Sequence, residues 1–183
     1  MKKTYLLASI LLLTLAISGF FLSGIFGSNY ISHTVTVTEK PIYHATLTVL
    51  KNGDLIDYIP NLLTNLGAEF VEQQLRAPQS LNKTNWISVS NVSGDCVATA
   101  TKLANELTTM SLARASCTQQ DLGTGNYSCE KTFTATGSVA AAQIAGLNYN
   151  STMEPSLFAC STFTSVNLEK DDQLTLRWNI TIS

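Results

Sequence analysis

The last third of the sequence limits the fold most, because apolar and polar residues alternate there through consecutive segments. In QLTLRWNITIS, residues 173–183, every second residue from Leu174 to Ile182 is apolar and most of the residues between them are polar. A period of two is typical of a strand with one face in a core and the other in water. The segments 126–136, 138–149 and 156–170 are also strand-like. Together they predict a mainly β protein, a β-sandwich or jelly-roll-like domain.

The region before these strands predicts a hairpin and one or two short helices. Residues 41–60 alternate around Asn52-Gly53, a preferred sequence for a tight hairpin turn. A weaker helical pattern covers 97–110. In residues 60–78 the apolar spacing changes to three and four, which predicts a helix between two prolines. The apolar stripe of that helix consists of Leu62, Leu63, Leu66, Phe70, Val71 and Leu75. The predicted globular domain spans 42–183.

An apolar N-terminal stretch predicts export. Lys2 and Lys3 precede an apolar run from Tyr5 to Phe26, and small residues crowd its end, as a signal peptidase requires. We interpret residues 1–28 as a cleaved secretion signal peptide, so that the chain meets a membrane only through this leader. A retained anchor is the alternative, because the run is long enough to span a bilayer. The exported part is net acidic and has no basic cluster, which makes nucleic acid a poor partner.

Four cysteines, all beyond the leader, predict two disulfides in an oxidising compartment. Cys117 and Cys129 flank a glycine-rich turn between two strand-like runs, so we pair them across a hairpin and pair Cys96 with Cys160. No CxxC motif occurs and both histidines lie far upstream. Neither a redox site nor a metal site is therefore expected.

Five N-x-S/T sequons predict N-linked glycans on the exported surface. Two of them, at Asn126 and Asn179, fall on the polar face of predicted strands, and the other three lie in turn-like stretches. A polar surface without sugars is the alternative. The sequon residues are Asn82, Asn91, Asn126, Asn150 and Asn179.

The sequence gives little reason to expect an enzyme or a cofactor. A nucleophilic hydrolase needs a base, and the two histidines, His33 and His44, each lie within an alternating strand. No G-x-S-x-G motif occurs. Asp171 and Asp172 lie where a hairpin turn needs polar residues. Trp178 is on an apolar strand face, which favours a core position over a platform for carbohydrate, although a carbohydrate-binding role stays open.

Residues 29–41 contain one alternating strand without an evident partner. A lone strand has unpaired backbone on both edges and must join a sheet. It can fold back through Pro41 onto its own domain, which the pattern by itself favours, or it can enter the open groove of another subunit by strand addition. Its apolar face, on which a histidine also falls, carries Ile31, His33, Val35 and Val37.

The whole chain resembles the thread-filament subunits of thermoacidophilic archaea. The resemblance rests on a Sec-type leader, a free Thr/Val strand behind it, a small Thr/Asn-rich β domain and several sequons. It implies a non-enzymatic, adhesive extracellular filament, or pilus, built from copies of this chain by donor-strand complementation. Residues near 30–40 would then complete the sheet of the next subunit, and N-glycans would coat the outside. The alternative is a membrane-anchored surface domain that binds carbohydrate or another surface.

Overall fold

The alternating segments of the sequence form the strands of two antiparallel sheets. The computed structural model describes residues 43–76, 83–94 and 96–182. Its elements are β1 (Tyr43–Lys51), β2 (Asp54–Pro60), β3 (Leu62–Leu63), α1 (Asn65–Arg76), β4 (Trp86–Ser90), β5 (Ala115–Ser116), β6 (Thr118–Gly123), β7 (Asn126–Thr134), β8 (Val139–Asn148), β9 (Leu157–Leu168) and β10 (Gln173–Ile182). One sheet has the order β2-β1-β10-β7-β6 and the other β3-β9-β8-β4-β5. The predicted mainly β sandwich is confirmed.

The core lies between the two sheets and follows the predicted alternation. In β10, Leu174, Leu176, Trp178 and Ile180 are buried, whereas Arg177 is exposed. Burial of each large apolar side chain stabilises the fold by roughly 1.5–3 kcal/mol. The facing sheet contributes buried side chains from β4, β8 and β9, namely Ile87, Val89, Leu147, Phe163, Val166 and Leu168.

The hairpin of β1 and β2 forms at the predicted turn. Asn52 and Gly53 both have positive φ, 53° and 90°, as a two-residue turn of the twist-compatible type requires. The register shifts between Val49 and Leu50, where a bulge bends β2. Val49 faces the core, so its partner Asp57 also lies on the core side of β2.

The predicted first helix is confirmed, and Phe70 and Val71 of its predicted stripe pack against the core, but the helix begins later than predicted. Leu62 and Leu63 form β3 instead of a helical turn, and Leu75 is 79% exposed. The one buried residue of α1 is Gly67, where a Cβ atom would lie 2.0 Å from the carbonyl oxygen of Phe158. The absence of a side chain therefore allows α1 to contact the backbone of β9.

Replacing Gly67 with alanine should destabilise the domain by about 2 kcal/mol or more, because the new methyl group overlaps a backbone oxygen that has no room to move. Gln73→Ala, on the exposed side of the same helix, is the matched control. Chemical unfolding of both variants measures the difference. Equal unfolding midpoints would show that α1 does not pack as closely as described.

The second predicted helix, over residues 97–110, is wrong. This stretch forms turns, Asn105 has a positive φ of 45°, and Glu106 makes an isolated β-bridge with Ser90. The β-branched residues of the stretch disfavour helix. Arg114 holds Glu106 with two hydrogen bonds of 2.9 and 2.6 Å, and both side chains are at most 3% exposed. Such a contact fixes the segment in a non-helical path.

The turn at Asp171 and Asp172 is polar as predicted, but it does not close a hairpin. It connects β9 in one sheet to β10 in the other. Asp171 has a φ of 71°, and Asp172 accepts a hydrogen bond of 2.9 Å from the Glu169 backbone N–H. Both strands have one strongly apolar face, so they pack face to face across the core instead of pairing edge to edge.

Both predicted disulfides are present with the predicted partners. Cys96 is bonded to Cys160 and Cys117 to Cys129, with Cα–Cα distances of 5.5 and 5.4 Å. The second bridge ties the start of β6 to its hairpin partner β7. The first ties the segment after β4 to β9.

The predicted leader, 1–28, and the N-terminal strand segment, 29–41, lie outside the described residues. Within the ranges that the structure does describe, none of the helices has the length and apolar character needed to cross a membrane.

Candidate strand-acceptor edge

Strand β9 is paired along most of one side and barely paired on the other. Its ladder with β8 runs from Leu157 to Leu168, with register shifts that leave residues 163–165 without a β8 partner. On its other side β3 pairs with Ala159 and Cys160, and no ladder among the described residues continues along 161–168. Strand β3 is short because Thr64 follows it as the cap of α1. The Thr64 Oγ1 atom accepts the Gly67 N–H at 2.9 Å.

Side chains, not a second ladder, bridge 161–168 to β2. Asp57 Oδ2 accepts hydrogen bonds from the Thr164 N–H at 3.0 Å and the Thr164 hydroxyl at 3.1 Å. The Ser161 hydroxyl donates to the Pro60 carbonyl at 3.0 Å. We call the space between β2 and residues 161–168 the β2–β9 seam. An inward-pointing charge at a sheet edge is a known way to discourage unwanted strand pairing.

Near the β2–β9 seam, a polar cluster joins the end of β1 to β9 and to the turn that follows it. Lys51 Nζ donates to the Asn167 carbonyl at 2.9 Å and lies 2.9 Å from Asp172. Hydrogen bonds from the Asn52 amide, the Glu169 backbone and Lys51 hold the pKa of Asp172 well below its usual range. The stabilisation from this carboxylate is therefore complete above the ordinary aspartate pKa of ~3.9, declines progressively as pH falls below that value, and is gone once pH has fallen through the lowered pKa.

The seam is also apolar along β2. Ile56 and Ile59 pack against the core but stay partly exposed. Leu55 and Tyr58, also in β2, are each 63% exposed. An edge with unpaired backbone and exposed apolar side chains suits an additional strand that has an apolar face of its own.

The other free edge of a long strand, β6, differs in chemistry. All of its residues are exposed, and its sequence TQQDLG has one large apolar side chain, Leu122, which is 50% exposed. A strand added here would find backbone groups but little apolar surface. The β2–β9 seam therefore offers more apolar surface than the β6 edge.

The described domain begins at an anchored residue. The Tyr43 hydroxyl accepts a hydrogen bond of 2.7 Å from the Asn61 amide, and its ring contacts Phe158 edge to face at 5.8 Å. Burial raises the pKa of Tyr43 well above its usual value, so the hydroxyl stays neutral. The four predicted donor-strand residues before it, Ile31, His33, Val35 and Val37, lie outside the described residues.

The sequons lie in different environments. Asn179 is in β10, between β1 and β7, and is partly buried. Asn126 opens β7, and its amide donates to the Thr124 carbonyl at 3.1 Å. Asn91 follows β4 and is partly buried. Asn150 lies in the loop from β8 to β9, and Asn82 is outside the described residues.

The Asn150 sequon lies in a loop, and Asn150 itself is partly buried like the other three described sequon residues. Its side-chain oxygen accepts the Thr152 N–H at 3.2 Å, which forms a turn over the sequon, and residues 151–155 are exposed. Arg114 holds the base of this loop by donating to the Asn150 carbonyl at 3.0 Å and the Ser156 hydroxyl at 2.9 Å. A sugar on Asn150 would extend into solvent without disturbing a strand.

We expect higher glycan occupancy at Asn150 than at Asn179, because Asn150 lies in a loop beside the exposed residues 151–155, whereas Asn179 lies within a strand that is paired on both sides. Mass spectrometry of peptides from the exported protein measures both. Thr152→Ala should remove the Asn150 glycan and leave the backbone contacts of the loop intact. Modified Asn179 beside unmodified Asn150 would contradict this ranking.

The described residues offer few groups for catalysis or metal binding. His44 is exposed on the polar face of β1, opposite Thr181. No group of three or more His, Cys, Asp or Glu side chains that could hold a metal ion occurs in the described ranges. Trp178 is fully buried in the core. Its indole is therefore not a surface platform for a sugar.

Sequence reasoning missed Asp57 as a site residue. The signal was present in DLIDYIP, where the carboxylate of Asp57 stands between apolar neighbours in the middle of the strand. The contact with Thr164 could not be found in this way, because the two residues are 107 positions apart.

Comparisons with known proteins give no relatives for this chain. No protein-family model matches it, and neither the curated proteins nor the solved structures contain a match. The interpretation of function therefore depends on the sequence and the geometry of the domain.

Proposed function

We propose that this chain is a structural subunit of an extracellular adhesive filament, a pilus, which is assembled by donor-strand complementation. The observation that carries the proposal is the open side of β9, residues 161–168. In the proposed filament, the segment 31–38 of one subunit enters the β2–β9 seam of the next. The partners of the protein are thus other copies of itself, and no catalysis is involved.

The two strands complement each other in length and character. Residues 31–38 have the alternating pattern of one strand, and the open side of β9 is similarly long. Main-chain hydrogen bonds would supply affinity, and the apolar side chains of the segment would face the partly exposed Ile56 and Ile59. The incoming strand would displace the side chains that now bridge the seam.

The remaining features support an extracellular location of the protein. Two disulfides are typical of an oxidising compartment. Glycans at the five sequons, once the leader has been cleaved, would cover the outer surface of the filament. Few charged groups and many Ser, Thr and Asn residues suit such a neutral polar coat.

Electron microscopy of the exported protein, combined with N-terminal sequencing, tests the proposal. We expect filaments whose subunits begin near Asn29. Monomers that retain residues 1–28 at the membrane would instead support the anchored surface domain and contradict the filament.

A further inference from the structure

The pattern of the segment 31–38 contains a polar residue in an unfavourable place. His33 falls on the same face as Ile31, Val35 and Val37, the face that would be buried in the β2–β9 seam if the proposed function holds. A buried imidazole without a hydrogen-bond partner is costly. The seam must therefore offer His33 a partner if strand addition occurs.

Among the groups that could accept a hydrogen bond from an imidazole, the seam contains one that is charged and lies on its inner side. Asp54 and Asp57 are the charged residues of β2, and β9 has no charged residue. Asp54 is exposed at the start of β2. Asp57 pairs with the core-facing Val49 and reaches across to Thr164, so its carboxylate occupies the path of an incoming strand.

Strand addition would also change the hydrogen bonds of Asp57. At present its Oδ1 accepts the Tyr58 N–H at 3.1 Å, and its Oδ2 accepts the Thr164 N–H and hydroxyl. A strand that pairs with β9 takes the Thr164 N–H for its own carbonyl. The Asp57 carboxylate then loses the hydrogen bond from the Thr164 N–H, and an imidazole N–H can take the place of that donor.

We propose that Asp57 of one subunit binds His33 of the incoming strand, and that this pair sets the register of donor-strand addition. In the free subunit Asp57 caps the open edge. In the filament it recognises the one polar residue on the apolar face of the strand. A polar pair at a single position within an apolar interface disfavours shifted registers. A one-residue shift turns the apolar face away from the core, and a two-residue shift leaves the two groups buried but not opposite each other.

A charge exchange in the full-length chain tests this pairing. His33→Asp and Asp57→His should each lower the fraction of exported protein found in filaments by roughly tenfold, as expected for loss of a charge-assisted hydrogen bond. The double variant restores opposite groups at the two positions, so its filament fraction should return close to that of the natural chain. Asp54→His is the matched control and should assemble normally.

Folding and assembly are separated by two further measurements. Thermal unfolding of unassembled subunits reports whether Asp57→His impairs the domain itself. Asp57→Asn keeps an acceptor for Thr164 but not the charge, so it should unfold normally and still assemble poorly. Single variants that assemble like the natural chain, or a double variant no better than the singles, would overturn the pairing.

This inference rests on the proposed function, and the experiments distinguish failure of the His33–Asp57 pair from failure of donor-strand addition. If aspartates at positions 35 and 37 block assembly while all variants at positions 33 and 57 assemble alike, only the His33–Asp57 pair is wrong. If aspartates at positions 35 and 37 leave filaments intact, donor-strand addition itself is wrong.

Discussion

Replacing both Val35 and Val37 with aspartate should abolish filament formation and leave export unchanged. In the proposed filament both side chains enter the β2–β9 seam of a neighbour, where an unpaired carboxylate costs several kcal/mol. The core of the described domain is built from residues between 45 and 180, so the subunit should still fold. Electron microscopy of the exported variant measures the result.

Thr34→Asp with Thr36→Asp is the control for this experiment. It places the same charges on the polar face of the segment, which would face water in the proposed filament, and should leave more filament than the valine variant. Normal filaments from Val35→Asp/Val37→Asp would mean that the segment is not buried in a partner.

Removing the Cys96–Cys160 disulfide by replacing both residues with alanine should lower the free energy of unfolding by ~4 kcal/mol. Its cysteines are 64 residues apart, whereas those of the Cys117–Cys129 bridge are 12 apart. Loss of the shorter bridge should cost about 3 kcal/mol, because a smaller loop restrains the unfolded chain less. Denaturant unfolding of unassembled subunits compares the two variants.

The larger effect has a structural reason as well. Cys160 is fully buried and pairs with Leu62 in β3, at the point where the second ladder of β9 ends. Loss of the bridge would release the segment after β4 from this position. Non-reducing peptide mapping that finds other partners, or free thiols, would refute the assignment of both bridges.

Residues with a strong local pattern were predictable from the sequence. The alternation in β10 identified its buried face, and Asn52-Gly53 identified the hairpin, because both signals act between close neighbours in the chain. The non-helical path of residues 97–110 was not predictable in the same way. These residues are held by the Glu106–Arg114 contact and the bridge to Ser90, which involve side chains brought together only by the fold.

The candidate site divides along the same line. The donor segment can be recognised from its alternation, since that property is local. The acceptor edge depends on the order of strands in the sheet and on the shortness of β3, which Thr64 and the packing of Gly67 against Phe158 determine. For Asp57, the sequence reveals an acidic residue between apolar neighbours, but it does not reveal which strand this residue faces.

The structure of the assembled filament by electron cryomicroscopy is the most direct test of donor-strand addition at β9. We expect an extra strand beside residues 161–168, continuous with β1 of a neighbouring subunit and assignable to residues 31–38. A map in which residues 31–38 return to their own subunit, or in which the open side of β9 faces solvent, would contradict the proposal.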